Sequence, residues 1–495
     1  MSPHPPQNVI QPVHCPHPTT GYSGGMLRHA LALLLVGTTS ALAQPVPTPD
    51  CTADVTVHDQ LSLDVLYRCR STQPISFEPV GDRTAQYARE APSGRLDPVN
   101  GLVEARYRFD LSGFARAVNS PSEGIQRGKG VLAPLGAWLL EPHGYQKIPT
   151  IDIRVHTPEG MVFSSGLPRV GDGWRLAGTT VRFVGYTAIG KLELHELPSP
   201  AIGSLRAGEA KKEGILRLAL LDGFGEATRP AIVDWVKRTI EAESNYWRGF
   251  TADQMLVGLV PMPRNGVGYG RTQPGGGVSI MIEVGDSIDA RRLFNDWVMV
   301  HELIHSGMPF IRGRGTWFME GAATYIEPII RARAGWKTEQ EVWHEWVTQM
   351  PQGEGVFARG LSQASGRENY WGGAIFMLMA DMAIRRDSNG AKGLEDCFGG
   401  ALWRGLGGAD RIGLDAYAQA CDAATGTRSM TTLLDRYFYN AQPVALAALW
   451  KELGVALVGD RIVLDDSAPQ ARLRKMIVMG PPDQPPKPVK LPWQS

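Results

Sequence analysis

The stretch Val300-His301-Glu302-Leu303-Ile304-His305, followed by Trp317-Phe318-Met319-Glu320-Gly321-Ala322-Ala323-Thr324-Tyr325, decides how this chain is read. Two histidines one helical turn apart share a face, so both imidazoles reach a single metal ion at about 2.0–2.1 Å. A third protein ligand is then required. Glu320 supplies it if a second helix crosses beneath the first, leaving one tetrahedral position for water or a substrate carbonyl. Glu302, next to the first ligand, is placed as the general base acting on that water. The pattern reads as a one-zinc hydrolase site.

Neighbouring residues support that reading. Leu293, Trp297, Val300 and Ile304 form one apolar stripe at helical spacing, and Phe294, Val298, His301 and His305 form a second. The histidines therefore stand where core residues otherwise would. Gly307 and Pro309 stop the helix, as a chain must where it turns to bring in a later ligand. The spacing predicts helices over 293–306, 317–333 and 370–386, with Pro328 ending or kinking the second. An HExxHxxGxxH site would need glycine and histidine where the chain has Met308 and Ile311. His344 lies in a helical pattern with a polar face and reads as solvated, not as a ligand.

The order of these segments, continued by Asn369-Tyr370-Trp371-Gly372-Gly373-Ala374, resembles the gluzincin peptidases. The M1 and M61 aminopeptidase-like families are the ones it is similar to, with the M61 glycyl aminopeptidases nearest. The resemblance covers roughly residues 206–390 and implies a thermolysin-like catalytic domain behind an amino-terminal β domain. It also implies a peptide or polypeptide substrate, zinc on His301, His305 and Glu320, and Glu302 as the proton carrier. Tyr370 matches the family tyrosine whose hydroxyl donates to the oxyanion. Family members often carry a carboxy-terminal PDZ module, for which the residues after the helical region are too few.

Two positions depart from the family pattern. Ahead of the zinc helix those enzymes carry an acid that pairs with the substrate's amino terminus in a partly desolvated pocket. Here the corresponding stretch is Gly275-Gly276-Gly277-Val278-Ser279, and Glu283 is the nearest carboxylate. Aminopeptidase and endopeptidase action both stay open, as does a non-catalytic or non-peptide-hydrolysing binding module. The glycines fit either an edge that substrate backbone approaches or an ordinary turn. The family lysine at position 372 is Gly372.

Lys plus Arg number 50 and Asp plus Glu number 50, so the chain offers no electrostatic footprint for nucleic acid or anionic membrane. No run approaches the ~18 apolar residues of a membrane span. Met26-Leu27-Arg28-His29, an apolar run over 30–36 and Ala41-Leu42-Ala43 read as a secretory signal near residues 26–43, which places the mature protein in the periplasm or the medium. Residues 1–25 read as a low-complexity extension, its His4, His14 and His17 included, with Met26 as an alternative start. Cys51, Cys69, Cys397 and Cys421 then form an even set in an oxidising compartment. Local pairing, Cys51 with Cys69 and Cys397 with Cys421, is the natural choice among three connectivities.

The fold class is α+β, with a β-sandwich, a catalytic domain and a helical carboxy-terminal region. In 44–205, Val103, Ala105, Tyr107, Phe109 and Leu111 alternate with polar residues, as do Ile151, Ile153 and Val155. Val181-Arg182-Phe183-Val184 and Leu192-Glu193-Leu194 read as further strands, with His156 and His195 on polar faces. In 206–386 the expected elements ahead of the zinc helices are strands at 215–221, 255–260 and 278–282, and a helix at 230–246 with Ile232, Val236 and Ile240 inward. Residues 387–460 read as helical and 461–495 as a tail, its Pro481-Pro482-Asp483-Gln484-Pro485-Pro486-Lys487-Pro488 extended.

Overall fold

A computed structural model describes residues 48–202 and 212–494, so the signal segment lies outside the described residues. Strict alternation in Leu102–Asp110 buries Val103, Ala105, Tyr107 and Phe109. Leu111, read as the last strand residue, instead opens the helix Leu111–Val118, because Asp110 caps it by accepting from Gly113 N at 2.8 Å. Leu102–Asp110 belongs to a seven-stranded sheet in which Cys51–Val57 pairs antiparallel with Ser62–Arg70 and parallel with Ile151–His156. Cys51 stands opposite Cys69 in that register, and the two form a disulfide. A four-stranded sheet, Ile125–Arg127, Gly130–Pro134, Val162–Ser165 and Tyr186–Gly190, closes the core from the other side with Val131, Ala133 and Ile189.

Residues 181–184 are not a strand. Val181–Phe183 is a single 3-10 turn, a run too short for apolar content alone to fix its type. The strand Glu193–Ile202 pairs with Lys212–Leu220 and so belongs to the next sheet.

That next sheet positions the site. Its order is Glu193–Ile202, Lys212–Leu220, Gln254–Met262, Val278–Gly285, Val267–Pro274. The middle three are parallel, and Val267–Pro274 runs antiparallel along the outer edge. One face packs on the four-stranded sheet through Leu132, Tyr186, Leu256 and Met281. The other is covered by the crossover helix Thr228–Trp247, whose Ile232, Trp235, Val236 and Ile240 are buried on it. Each such side chain contributes roughly 1.5–3 kcal/mol by leaving water. Residues 275–277 form the turn between the last two strands. A Cβ on Gly275 would lie 1.9 Å from Phe183 O and one on Gly277 2.1 Å from Gly166 O, so these glycines let the turn's backbone touch that of residues 166 and 183. They serve close packing, not substrate approach.

The helix expected at 293–306 is two helices, Ala290–Asn295 and Val298–Ser306. The break at Asp296, whose carboxylate accepts from Val298 N at 2.8 Å, turns Trp297 out of the apolar stripe to 48% exposure. The second expected helix is Thr316–Arg333, and it runs on past Pro328. Proline removes one hydrogen bond there, while Ile326, Ile329 and Ile330 around it are all buried. The third, Arg367–Asp387, crosses it so closely that a Cβ on Gly321 would fall 2.3 Å from Gly373 Cα. Gly372 is crowded as well, since a Cβ there would lie 2.8 Å from Val356 Cγ1 and 3.2 Å from Gly353 O, which leaves little room for the family's lysine.

Helices Leu394–Leu402, Leu414–Thr425, Ser429–Tyr437 and Leu446–Leu453 complete the helical base, with Cys397 bonded to Cys421. Residues 461–495, read as a tail, hold more than that. Arg461–Leu464 pairs with Val455–Val458, and Ala471–Met479 is a helix that buries Leu473, Met476 and Ile477. The extended part that follows is docked: Val489 N donates to Ala334 O at 3.0 Å, and Trp336 Nε1 donates to Val489 O at 2.8 Å. Among the described residues no helix is long and apolar enough to cross a membrane.

Candidate active site

Val298–Ser306 ends where Gly307 meets Trp247, whose ring would be 2.6 Å from any Cβ there. The chain then turns through a short strand, Phe310–Ile311, held parallel to Arg411–Ile412, and re-enters as the helix Thr316–Arg333. This path carries Glu320 beneath the two histidines. Glu320 Oε2 lies 3.2 Å from His301 Nε2 and 3.7 Å from His305 Nε2. The three side chains are the one group of potential metal ligands among the described residues, with donor atoms within 4.8 Å of one another.

That donor set fits zinc. Ligands about 2.0–2.1 Å from a tetrahedral centre stand about 3.4 Å apart, close to the separations seen here, and two imidazoles with one carboxylate are a familiar zinc set. His301 is buried, and Glu320 and His305 are largely so. Burial alone would raise the Glu320 carboxyl, but the hydrogen bonds from His301 and His305 outweigh it and hold it well below the usual range.

Glu302 faces the opposite wall, where the edge strand Val267–Pro274 lies against it. Thr272 Oγ1 is 2.8 Å from Glu302 Oε2 and 2.8 Å from Glu302 O. One hydroxyl proton thus has two acceptors, so Thr272 can bond an ionised Glu302 or turn to its carbonyl once the carboxyl carries a proton. Gly270, two residues earlier on the same side of the strand, allows this approach, since a Cβ there would lie 2.7 Å from Glu302 Cγ. Tyr370, in the first turns of Arg367–Asp387, is 39% exposed, and its ring stacks on His301 with centroids 6.2 Å apart. Burial, helped by the charges of Glu320 and Glu302, pushes its hydroxyl up to about 12, so it is a proton donor at neutral pH.

The five side chains singled out in the sequence surround one cleft of about 680 Å³. His344 is exposed on the helix Glu339–Gln349, outside that cleft. Glu283 is committed elsewhere: its carboxylate takes Arg264 Nη2 at 2.7 Å. Sequence reasoning missed the edge strand altogether, with Gly270, Arg271 and Thr272, and missed Trp297 as a cleft residue. The alternating glycines of Val267-Gly268-Tyr269-Gly270 were the available signal for a strand under close approach.

Neither a family model nor a curated protein matches the sequence. Solved structures do resemble it. An aminopeptidase N family protein from Idiomarina loihiensis superposes with a TM-score of 0.60 at 16% identity, over 82% of this chain and 78% of that one. The likeness is one of fold. An M1 zinc metallopeptidase from Deinococcus radiodurans is more distant, with a TM-score of 0.45 at 15% identity over 80% of this chain and 95% of that one.

Proposed function

We propose that the protein is a secreted or periplasmic zinc metallopeptidase that hydrolyses peptide bonds. The observation that carries this reading is the convergence of His301, His305 and Glu320 on one point, with Glu302 and Tyr370 lining the same cleft and the Tyr370 ring against His301. Its fold, like that of an aminopeptidase N family protein, agrees with it. The M61-like affinity rests on the Tyr370-Trp371-Gly372-Gly373 segment. The disulfides Cys51–Cys69 and Cys397–Cys421 are compatible with an oxidising compartment.

His301, His305 and Glu320 would hold one zinc ion, which supplies a Lewis acid that polarises a carbonyl and acidifies water. Glu302 accepts the proton of the attacking water and hands it to the leaving amine. Thr272 holds that carboxyl by donating to it while it is ionised and by accepting from it, its own proton turned to the Glu302 carbonyl, once it is protonated. Tyr370 donates a hydrogen bond to the carbonyl oxygen as charge builds on it. The open edge of Val267–Pro274 gives an extended peptide a backbone to pair with, fixing the scissile bond between these groups.

The test is cleavage of an unbiased peptide mixture by the zinc-loaded protein, with new termini read by mass spectrometry. Cuts that vanish with a chelator and in Glu302→Ala support the reading. Unchanged cleavage by Glu302→Ala overturns it.

A further inference from the structure

Three guanidiniums and two carboxylates line the cleft. The guanidiniums of Arg182, Arg271 and Arg411 line it, and among the described residues none of the three has a carboxylate partner. Arg411 lies 3.9 Å over the Phe183 ring and 4.8 Å over Phe310. Among the described residues the hydrogen-bond partner of Arg271 is an amide: with the Gln273 carboxamide oxygen turned to it, Nη2 is 3.0 Å away. Arg182 and Arg271 are both exposed. The two carboxylates of the cleft are already engaged, Glu320 by the histidines and Glu302 by Thr272. Both belong to the proposed zinc and proton-carrying set, so the cleft lining holds no further carboxylate to receive an ammonium group, and Glu283, outside it, is paired with Arg264.

The edge strand joins this charge to the chemistry. Its alternation turns Gly270 and Thr272 toward Glu302 and turns Arg271 and Gln273 to the other side. A substrate running along the open edge therefore passes Arg271 within a residue or two of the bond that Glu302 serves, at ~3.3 Å per residue. A guanidinium fork suits a carboxylate in bidentate fashion, and the exposed faces of Phe183, Tyr269 and Trp297 offer apolar support beside it.

We propose that this cleft selects substrates carrying a carboxylate near the scissile bond and binds that carboxylate on Arg271, assisted by Arg182 and Arg411, instead of holding a free amino terminus. The proposal rests on the peptidase reading for its chemistry but not for its binding preference. The carboxylate has two sources, an acidic side chain or a free carboxy terminus.

Calorimetric binding to zinc-loaded Glu302→Gln full chain, with four peptides sharing one neutral core, separates them. The first has an internal Glu and both ends blocked, and the second is its Gln counterpart. The third is neutral with a free carboxy terminus only, and the fourth is neutral with a free amino terminus only. The first or the third is expected to bind about tenfold tighter than the second, as for a charge-assisted hydrogen bond, and which one does so names the source. The fourth is expected to bind no tighter than the second. Adding Arg271→Gln should shrink the preference to about threefold or less, and Arg271→Lys should keep most of it.

Tightest binding of the fourth peptide overturns the proposal. So does equal binding of all four, or a preference intact in each of the Arg271→Gln, Arg182→Gln and Arg411→Gln variants. Selective binding of carboxylate peptides that the wild type never cuts would leave this inference standing and remove the peptidase reading. Equal cutting of the first, second and third peptides would do the reverse.

Discussion

The helix Thr316–Arg333 carries two charged clusters, and they are built on opposite principles. Toward its amino-terminal end, Glu320 Oε2 alone meets both His301 and His305, so three donor atoms crowd about one point beside an open cleft. Farther along, Tyr325 and Arg333 join a buried knot with Asp381, Arg385 and Glu395. There the oxygens are shared out. Asp381 Oδ1 accepts from Leu394 N at 2.9 Å and Oδ2 from Tyr325 at 3.0 Å. Glu395 Oε2 takes Arg385 Nη2 at 2.7 Å, and Oε1 takes Arg333 Nη2 at 3.4 Å. A carboxylate whose oxygens each have a protein partner is structural, whereas convergence of several donors on one point leaves coordinating capacity for a cation.

The contrast should survive mutation, beginning with the largest effect. Glu302→Gln is expected to lower kcat by about 10³-fold or more, as loss of the general base does, while zinc content and unfolding midpoint stay at wild-type values. A large fall in stability instead would place Glu302 with the knot. Arg385→Met should act the other way round. Leaving Asp381 and Glu395 buried without their cation costs about 3–5 kcal/mol in denaturant unfolding, with zinc bound per folded chain unchanged. A stability loss below about 1 kcal/mol would show that the knot tolerates an uncompensated charge.

Smaller effects sharpen the same boundary. Thr272→Val is expected to reduce kcat about tenfold by freeing the Glu302 carboxyl, and Thr272→Ser to restore most of it, since the hydroxyl is what bonds. A Thr272→Ser variant as slow as Thr272→Val would make the methyl group, and not the hydroxyl, responsible. The pH dependence of stability follows from the knot. Burial alone would raise the Glu395 carboxyl, but Arg385 and Arg333 hold it at about 2. A carboxyl lower in the folded than in the unfolded chain stabilises above its unfolded value, near 4.5, and that contribution is lost as pH falls toward about 2. Asp381, raised by burial, works in the opposite sense and blunts the effect. Denaturation midpoints between pH 5 and 2.5 should therefore fall less steeply in Glu395→Gln than in the wild type, and an unchanged slope would show that other carboxyls carry it.

How much of this was legible in the sequence differs between the same two regions. The site declares itself because helical spacing is local: His301 and His305 must share a face, and the loop to Glu320 is short. Their partner Thr272 comes from a strand whose contact with Glu302 forms across a sheet edge, and no periodicity reports such a neighbour. The knot was invisible for the same reason, since nothing local in the sequence brings Asp381 and Glu395 together on Arg385. Trp297 was misplaced because apolar spacing continues through Asp296, where a side chain takes over the backbone hydrogen bond and ends one helix. Pro328 was read by its local cost alone, which the buried packing around it exceeds. The carboxy-terminal segment was read as extended, and its final part is, but its docking on Ala334 and Trp336 depends on tertiary contact.

The most direct measurement is anomalous scattering at the zinc edge from crystals of the zinc-loaded full chain, with Glu320→Ala crystals beside it. The account requires one peak between His301 Nε2, His305 Nε2 and the Glu320 carboxylate, greatly weakened in the variant. A zinc peak elsewhere, or one of full height without Glu320, would contradict it.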